Sequence, residues 1–318
     1  MKPKILCIVG PTASGKSGLA LALAGRLGGE IVSCDSMQVY RGMDIGTAKA
    51  TAAERAAVPH HLLDLIDPDE PFSAADFVSA ARAAIADITA RGRLPVLCGG
   101  TGLYLDSLLR PTAYASPPPD PAVRAALAAE LAEQGAEAMH ARLAALDPEA
   151  AAGIHPNNTK RVLRAIEICL GAGTTKSALD AASVVGDCPY DACVIGLRWP
   201  RELLNARIDT RVDAMLAEGL VEETARLDAA GYLAPGTTAG QAIGYKEILP
   251  FLRGEESLSA SAERLKIATH RYAKRQMTWF GAKDYVEWID CAGRNFEEIV
   301  NIAAERLSAG AECGTIKQ

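Results

Sequence analysis

Eight consecutive residues near the start of the chain, Gly10-Pro11-Thr12-Ala13-Ser14-Gly15-Lys16-Ser17, have the types and spacing of a phosphate-binding loop, G-x-x-x-x-G-K-[ST]. The chemistry accounts for the pattern. Glycines let the backbone wrap closely around an anion, so its N–H groups point inward. A following helix adds the partial positive charge of its N-terminus. Lys16 can then reach a terminal phosphate, and the Ser17 hydroxyl can sit on Mg²⁺. The flanks supply the elements such a loop requires. Ile5-Leu6-Cys7-Ile8-Val9 reads as a buried strand, and Leu19 to Ala24 as a helix ended by Gly28-Gly29. The alternative is a glycine-rich turn that matches by chance; a strand before it and a helix after it argue against that. The loop implies a polyphosphate ligand without saying which.

A second apolar run, Glu30-Ile31-Val32-Ser33-Cys34, ends at Asp35. In a doubly wound sheet, ligands bind beyond the carboxyl ends of the strands. Asp35 therefore belongs beside the phosphates or the reacting atom, or else it caps a helix. Residues 36–49 lack periodicity and read as an ordered loop beside the site. His60 and His61 invite a metal reading, but no third ligand with sensible spacing is near, which favours a structural role. A helix is predicted over 73–91, with Ser73 and Asp76 as a variant capping box. A third strand, Leu94 to Cys98, runs into Gly99-Gly100-Thr101-Gly102. A motor or switch NTPase would place a Mg²⁺-binding aspartate there. The glycines permit close backbone approach to a ligand, or form a plain turn.

Ser116-Pro117-Pro118-Pro119-Asp120-Pro121 cannot be helix and reads as a stiff linker. Beyond it, about Ala122 to Gly173 is rich in Ala, Leu and Glu at helical spacing. Within that unit Lys160, Arg161 and Arg164 crowd a helix start, where cations oppose the dipole but suit external phosphates; a solvated face is the other reading. Strand character returns at Ala192 to Leu197. In the helix after Pro200, Arg207 and Arg211 share a face, with Asp209 and Asp213 as possible ion-pair partners. Gly244 falls inside a helical pattern over 241–247, which suggests close packing or ligand approach. Residues 260–283 hold six Lys or Arg and one Glu, interleaved with His270, Tyr272, Trp279 and Phe280. Arg264, Arg271 and Arg275 fall near one helical face, and basic plus aromatic side chains suit nucleic acid. Residues 285–289 read as a last strand, Asn295 begins a terminal helix, and the tail from Gly310 is frayed.

The bulk composition narrows the class. The 318 residues are 49% hydrophobic and 23% charged, with net charge −6. That fits an ordinary soluble protein of one large or two modest domains, and no general affinity for nucleic acid. No apolar run approaches the ~20 residues of a membrane span, and no signal peptide precedes the first strand. Eight scattered cysteines without a C-x-x-C pair read as reduced thiols of a cytoplasmic protein.

Together these residues closely resemble the tRNA dimethylallyltransferases, or tRNA isopentenyltransferases. The resemblance is carried by the phosphate loop, by Asp35-Ser36-Met37-Gln38-Val39-Tyr40 with 42–49, and by Gly99-Gly100-Thr101-Gly102-Leu103-Tyr104. It continues in His155-Pro156-Asn157-Asn158, Gly244-Tyr245 and 273–279, and covers Lys4 to about Asp290. Departures are small: Ser17 stands where many members have Thr, and Ala50 where Pro is common. A C-terminal zinc finger of eukaryotic relatives is not in the sequence, which suggests a bacterial type. The resemblance implies an α/β fold, a P-loop-containing nucleoside triphosphate hydrolase-like parallel sheet core with an inserted all-helical domain. It places the core at 1–115 with 190–318, and the insertion, which grips the anticodon stem, at 116–189. It implies attack by N6 of tRNA adenosine 37 on C1 of dimethylallyl diphosphate, with diphosphate leaving and Mg²⁺ as cofactor. Residues 10–17 would then hold the diphosphate, with Ser17 on the metal and Lys16 and Arg211 on the developing charge. Asp35 would be the base and Thr101 a positioning residue. The tRNA-contacting positions would be Asp35, Ser36, Met37, Gln38, Thr101, Val123, Thr159, Lys160, Arg161, Val162, Leu163, Gln241, Ala242, Ile243, Gly244, Tyr245 and Lys246. The family also suggests a monomer.

The competing reading is an ATP-dependent small-molecule kinase. It accounts for Lys16 and Ser17, but not for the Gly-Gly-Thr strand end or the basic and aromatic stretch. Prenylation of free AMP leaves the basic arm without a purpose. A non-catalytic RNA-binding protein leaves the intact Lys16, Ser17 and Asp35 unexplained.

Overall fold

The computed structural model describes residues 2–110, 120–183 and 187–308. The linker residues 116–119 and the tail from Gly310 lie outside them. β1 (Lys4–Val9) leads through the phosphate loop into α1 (Lys16–Leu27), which Gly28 ends in the left-handed region at φ 64°. Next come β2 (Gly29–Ser33), α2 (Ala52–Ala57) and a two-residue β3 (His60–His61) that the sequence did not announce. α3 (Ala74–Ala90) starts at the expected box, Ser73 and Asp76 each capping the other. β4 (Leu94–Cys98) and α4 (Gly102–Leu109) follow.

Then come four helices: α5 (Pro121–Leu146), α6 (Pro148–Gly153), α7 (Thr159–Ala172) and α8 (Lys176–Ser183). β5 (Asp191–Arg198) returns to the sheet. The chain ends through α9 (Arg201–Ala217), α10 (Leu220–Ala229), α11 (Tyr245–Leu252), α12 (Leu258–Gly281), β6 (Glu287–Asp290) and α13 (Phe296–Ser308).

Among the described residues the strands form one parallel sheet in the order β3-β2-β4-β1-β5-β6. β1 sits centrally, with Cys7 opposite both Leu97 and Val194. Chain direction across the sheet reverses at β1, so a crevice opens at its carboxyl end, where the phosphate loop leaves. Both faces are covered, which explains the unbroken apolar run of β1. Ile5, Cys7 and Val9 pack with Phe77, Ile85 and Phe280. Leu6 and Ile8 pack with Leu19, Leu23 and Val300 on the other side. A third core joins α9 to α12 with Val39, Tyr40 and Met43 of the loop after β2.

The chain divides into two compact units, Met1–Leu109 with Asp187–Gln318, and Arg110–Gly186. The second is all helix among its described residues. Its core is Leu127, Met139, Leu143, Val162, Ala165 and Ile166. Buried Glu167 accepts the Asp120 N–H at 3.0 Å and pairs with Arg124 and Arg164. Gly135, at φ 82°, breaks α5.

Three sequence expectations change. Gly244 lies at the start of α11, not inside a helix, because its φ of 108° is closed to helical backbone. The last strand begins at Glu287, and Tyr285 and Val286 are core residues before it. Asp209 and Asp213 do not pair with Arg207 and Arg211. They reach across to α12, Asp209 to His270 and Asp213 to Lys266, each at 2.8 Å.

Candidate active site

The loop from Gly10 to Ser17 is held from behind by side chains from distant elements. The Trp199 indole donates to Ser14 O at 2.9 Å. Arg207 Nε donates to Ala13 O at 2.8 Å, and its guanidinium lies over the Trp199 ring, 4.4 Å from the centroid. Gly10, at φ 142°, admits no side chain: a Cβ would meet Leu197 O at 3.0 Å. The loop is thus fixed through its carbonyls, and its Thr12 and Ser14 N–H groups are taken by Gln276 Oε1 and Pro11 O. Lys16 Nζ donates to Pro11 O at 3.3 Å. Burial pulls the Lys16 ammonium below its usual pKa; Cys98 opposes this, Arg211 adds to it and Asp35 opposes it.

Asp35 lies just past β2, where no helix begins, so the helix-cap reading fails. Its Oδ1 accepts the Met37 N–H at 2.9 Å. The following loop is tied down along its length. Gln38 accepts from Ser33 Oγ at 2.8 Å and donates to Thr47 O and Ala48 O. Buried Glu223 accepts the N–H groups of Asp44, Ile45 and Gly46 and the Tyr245 hydroxyl. Lys49, also buried, bonds Tyr40 O, Asp44 and Asp64.

The Gly99-Gly100-Thr101-Gly102 turn brings Gly99 to the wall of the phosphate-loop cavity, but its glycines leave no room where a side chain would stand. Protein already fills that space: an added Cβ would lie 2.0 Å from Cys34 O at Gly99, 2.0 Å from Gln276 Nε2 at Gly100, and 2.2 Å from Trp279 at Gly102. What the turn presents is Thr101, whose Oγ1 accepts the Ser36 N–H at 3.0 Å and donates to Ser36 Oγ at 3.3 Å. Thr101 therefore fixes the backbone next to Asp35.

Two cavities meet at these residues. One, of about 110 Å³, is lined by Thr12, Lys16, Ser17, Asp35, Arg211 and Gln276 among others. The second, of about 310 Å³, shares Thr12, Asp35 and Arg211 and extends past Met37, Gly244 and Arg275. Tyr272 lines both; burial pushes its hydroxyl above the usual pKa, and Asp35 adds to this. Arg211 and Arg207 share a third cavity with Lys16 and Ser17. Burial lowers the Arg211 pKa, and Asp35 opposes this.

Metal binding has few protein donors here. The described residues contain no group of three His, Cys, Asp or Glu that could hold an ion. His61 instead bonds Glu30, and His60 bonds Val58 O. The Ser17 hydroxyl and the Asp35 carboxylate line one cavity as hard oxygen donors, which fits Mg²⁺ taking its other ligands from phosphate and water.

The remaining predicted contact residues separate by exposure. Gln241, Ile243, Gly244 and Lys246 line the larger cavity together with Ser36 and Met37. Tyr245 is fully buried against Glu223, and Ala242 is core. Val123 and the residues of α7 belong to the helical unit. Lys160 and Arg161 are exposed there and Thr159 half-buried, but Val162 is 0% exposed, and Val123 and Leu163 pack on the same core. The side chains of Val162 and Tyr245 thus serve packing, whereas Ala242 also lines the larger cavity. Along α12, Arg264 and Lys266 are held in ion pairs, as is Lys283 just beyond it, whereas Arg271, Lys274 and Arg275 have none among the described residues. Sequence reasoning missed Gln276 and Glu223. For Glu223 a signal existed: it sits on the apolar face of α10 with Leu220, Thr224 and Leu227.

Residues 38–283 match the IPP transferase family, and residues 3–64 the isopentenyl transferase family. A tRNA dimethylallyltransferase of Anaeromyxobacter dehalogenans is 52% identical over 286 residues, 90% of this chain and 94% of that protein. One from Geobacillus thermodenitrificans is 50% identical over 290 residues, 91% of each. The full-length tRNA isopentenylpyrophosphate transferase of Bacillus halodurans superposes with a TM-score of 0.71 at 44% identity, covering 98% of this chain and 99% of that one. A eukaryotic dimethylallyltransferase acting on tRNA gives 0.79 at 30% identity, over 96% of this chain and 80% of that one.

Proposed function

The chain belongs to the IPP transferase family, and on that premise we propose that it transfers dimethylallyl from dimethylallyl diphosphate to N6 of adenosine 37 beside a tRNA anticodon. One observation carries the reading: Asp35 and Arg211 stand where a cavity walled by the phosphate loop meets a larger one walled by Met37, Gly244 and Arg275. A diphosphate and a flipped-out base can each occupy one side.

N–H groups of the phosphate loop other than those of Thr12 and Ser14, together with the Lys16 ammonium, hold the diphosphate. Arg211 approaches from α9 to neutralise charge that grows on the leaving oxygen. When bound, Mg²⁺ held through Ser17 supplies further positive charge to the same oxygens. On the other side, adenine N6 is a poor nucleophile that must be oriented and must lose a proton. N6 forms the bond to C1, the C1–O bond breaks with its electron pair going to diphosphate, and the N6 proton passes to Asp35. Thr101 keeps the Asp35–Met37 backbone in place through Ser36. The base reaches this site only outside its stack. Ser36, Met37, Gln241 to Gly244 and Lys246 border its path, and Arg271, Lys274 and Arg275 meet backbone phosphates. Lys160 and Arg161 of the helical unit grip the anticodon stem. A tRNA substrate is in keeping with a cytoplasmic protein, and no described helix is long and apolar enough to cross a membrane. A kinase reading lacks the carboxylate expected at the end of β4, where Gly99 stands.

The test is transfer of labelled dimethylallyl to unmodified tRNA by wild type and Asp35→Ala. The expected result is labelling of the anticodon-adjacent adenine by wild type and a loss of about 10²–10⁴ in the variant, with tRNA affinity kept. A wild type that labels no tRNA but phosphorylates a metabolite from ATP would replace this reading with the kinase.

A further inference from the structure

Gln276 connects the phosphate loop to the turn that carries Thr101. It lies on α12, is 5% exposed, and uses both ends of its amide. Its Oε1 accepts the Thr12 N–H of the phosphate loop at 2.8 Å. Its Nε2 donates to Gly100 O at 2.9 Å, one residue before Thr101. Gly100 makes this contact possible: a Cβ there would lie 2.0 Å from Nε2, and its next nearest neighbours are Gln276 Cδ at 3.2 Å and Gly10 O at 3.7 Å. The Thr12 N–H is thereby withdrawn from the set that a phosphate loop offers its anion.

We propose that Gln276 is a positioning residue that sets the separation of leaving group and nucleophile, by tying the diphosphate loop at Thr12 to the Thr101 turn at Gly100. The inference rests on the transfer reaction above. The loop fixes one reactant through the diphosphate, and the Thr101–Ser36–Asp35 chain fixes the other. Removing the tie leaves each half able to bind its own reactant. It costs the alignment between them, where a displacement of about 1 Å is worth about 10²-fold in rate.

Gln276→Met keeps length and burial but makes neither bond. Gly100→Ala expels the amide without touching Gln276 itself, and is free of strain once residue 276 is small. The experiment is single-turnover transfer by Gln276→Met, Gly100→Ala, Gln276→Ala and the double Gly100→Ala/Gln276→Ala. Equilibrium binding of tRNA and of dimethylallyl diphosphate is measured separately. The expected result is an ~10²-fold slower rate in each single variant, with both affinities within about threefold. The double variant is no slower than Gln276→Ala, because both changes remove the same tie. Amide exchange at Thr12 speeds up in Gln276→Met. Wild-type rate in Gln276→Met, or losses that multiply in the double variant, would overturn the proposal. So would a fall in both affinities, which marks a merely loosened fold. A wild type with a protected Thr12 amide but no transfer would instead sink the reaction reading, and the catalytic role of the tie with it.

Discussion

The phosphate loop and the Asp35–Thr101 side of the site are built on opposite plans. The loop offers its backbone: its carbonyls at Ser14 and Ala13 are bonded by Trp199 and Arg207, and the start of α1 at Lys16 is the kind of helix N-terminus that suits an anion. The other side offers side chains, Asp35 and Thr101, on a backbone whose own groups are consumed. There the Ser36 N–H goes to Thr101, the Met37 N–H to Asp35, and the N–H groups of 44–46 to Glu223. The difference matches the two tasks. An anion carrying several oxygens is met by many fixed dipoles. A single N–H proton is met by one carboxylate aimed by its neighbours.

The sharpest test of this contrast is Lys16→Met. It removes the loop's own mobile cation and leaves the backbone cradle and Asp35 untouched. Single-turnover transfer should fall by about 10²–10³, the size of removing one donor to developing negative charge, with tRNA affinity unchanged. A loss of tRNA binding instead would mean that Lys16 serves the nucleophile's side, and the division would fail.

Next in size is Gly99→Ala. Its Cβ would meet Cys34 O at 2.0 Å and Cys34 C at 2.3 Å, both backbone atoms that cannot rotate away. Overpacking of this kind costs about 1–3 kcal/mol, read as a lowered urea midpoint. Gly25→Ala is the control: it lies in α1 with nothing within 4 Å of an added Cβ, and should stabilise by about 0.5–1 kcal/mol. Equal effects at the two sites would show that the strand-end turn is not built around its glycines.

The contrast also explains what the sequence makes legible. The phosphate loop, the Ser73–Asp76 box and the glycine after α1 are local: residues a few positions apart satisfy one another, so type and spacing suffice. The unbroken apolar runs of β1 and its neighbours identify a buried parallel sheet for the same reason. Gln276 meets Thr12 from 264 positions away, and Glu223 meets Ile45 from 178. Nothing in local spacing encodes those partners. The packing of the Gly99–Gly102 turn is hidden in the same way. Its glycines invite a ligand until the chain brings Cys34, Gln276 and Trp279 into the space. Gly244 fits a helical period over 241–247, and only its positive φ shows that the helix starts after it.

Glu223→Gln probes the long-range partner that holds the loop. It keeps the size of the side chain but turns an NH₂ toward N–H donors that now point at a carboxylate oxygen. The cost should be about 1–3 kcal/mol, with faster amide exchange at Asp44, Ile45 and Gly46. Unchanged exchange there would show that the loop is held by Lys49 and Gln38 alone, and that the buried carboxylate is dispensable to the nucleophile's side.

The smallest expected effect compares two acidic residues on one short stretch. β2 carries Glu30 near its start, and Asp35 follows its end. Glu30 faces Arg91, Arg93 and His61, away from the cavities. Arg91 bonding holds its carboxyl at a pKa of about 2, against burial and with help from His61. A depressed carboxylate stabilises the fold in full above its unfolded value near 4.5, and that contribution is lost as pH falls toward 2. A shift of that size corresponds to about 3 kcal/mol. The three partners are themselves partly exposed, at 43%, 44% and 27%, so screening brings the expected effect to about 1–2 kcal/mol. Urea midpoints of wild type and Glu30→Gln should therefore differ at pH 5 and converge as pH drops to 2, while transfer activity at neutral pH stays within twofold. Parallel stability curves would remove Glu30 from the acid response. A large loss of activity would mean that the base of β2 communicates with Asp35 at its other end, and that the two carboxylates cannot be treated as separate devices.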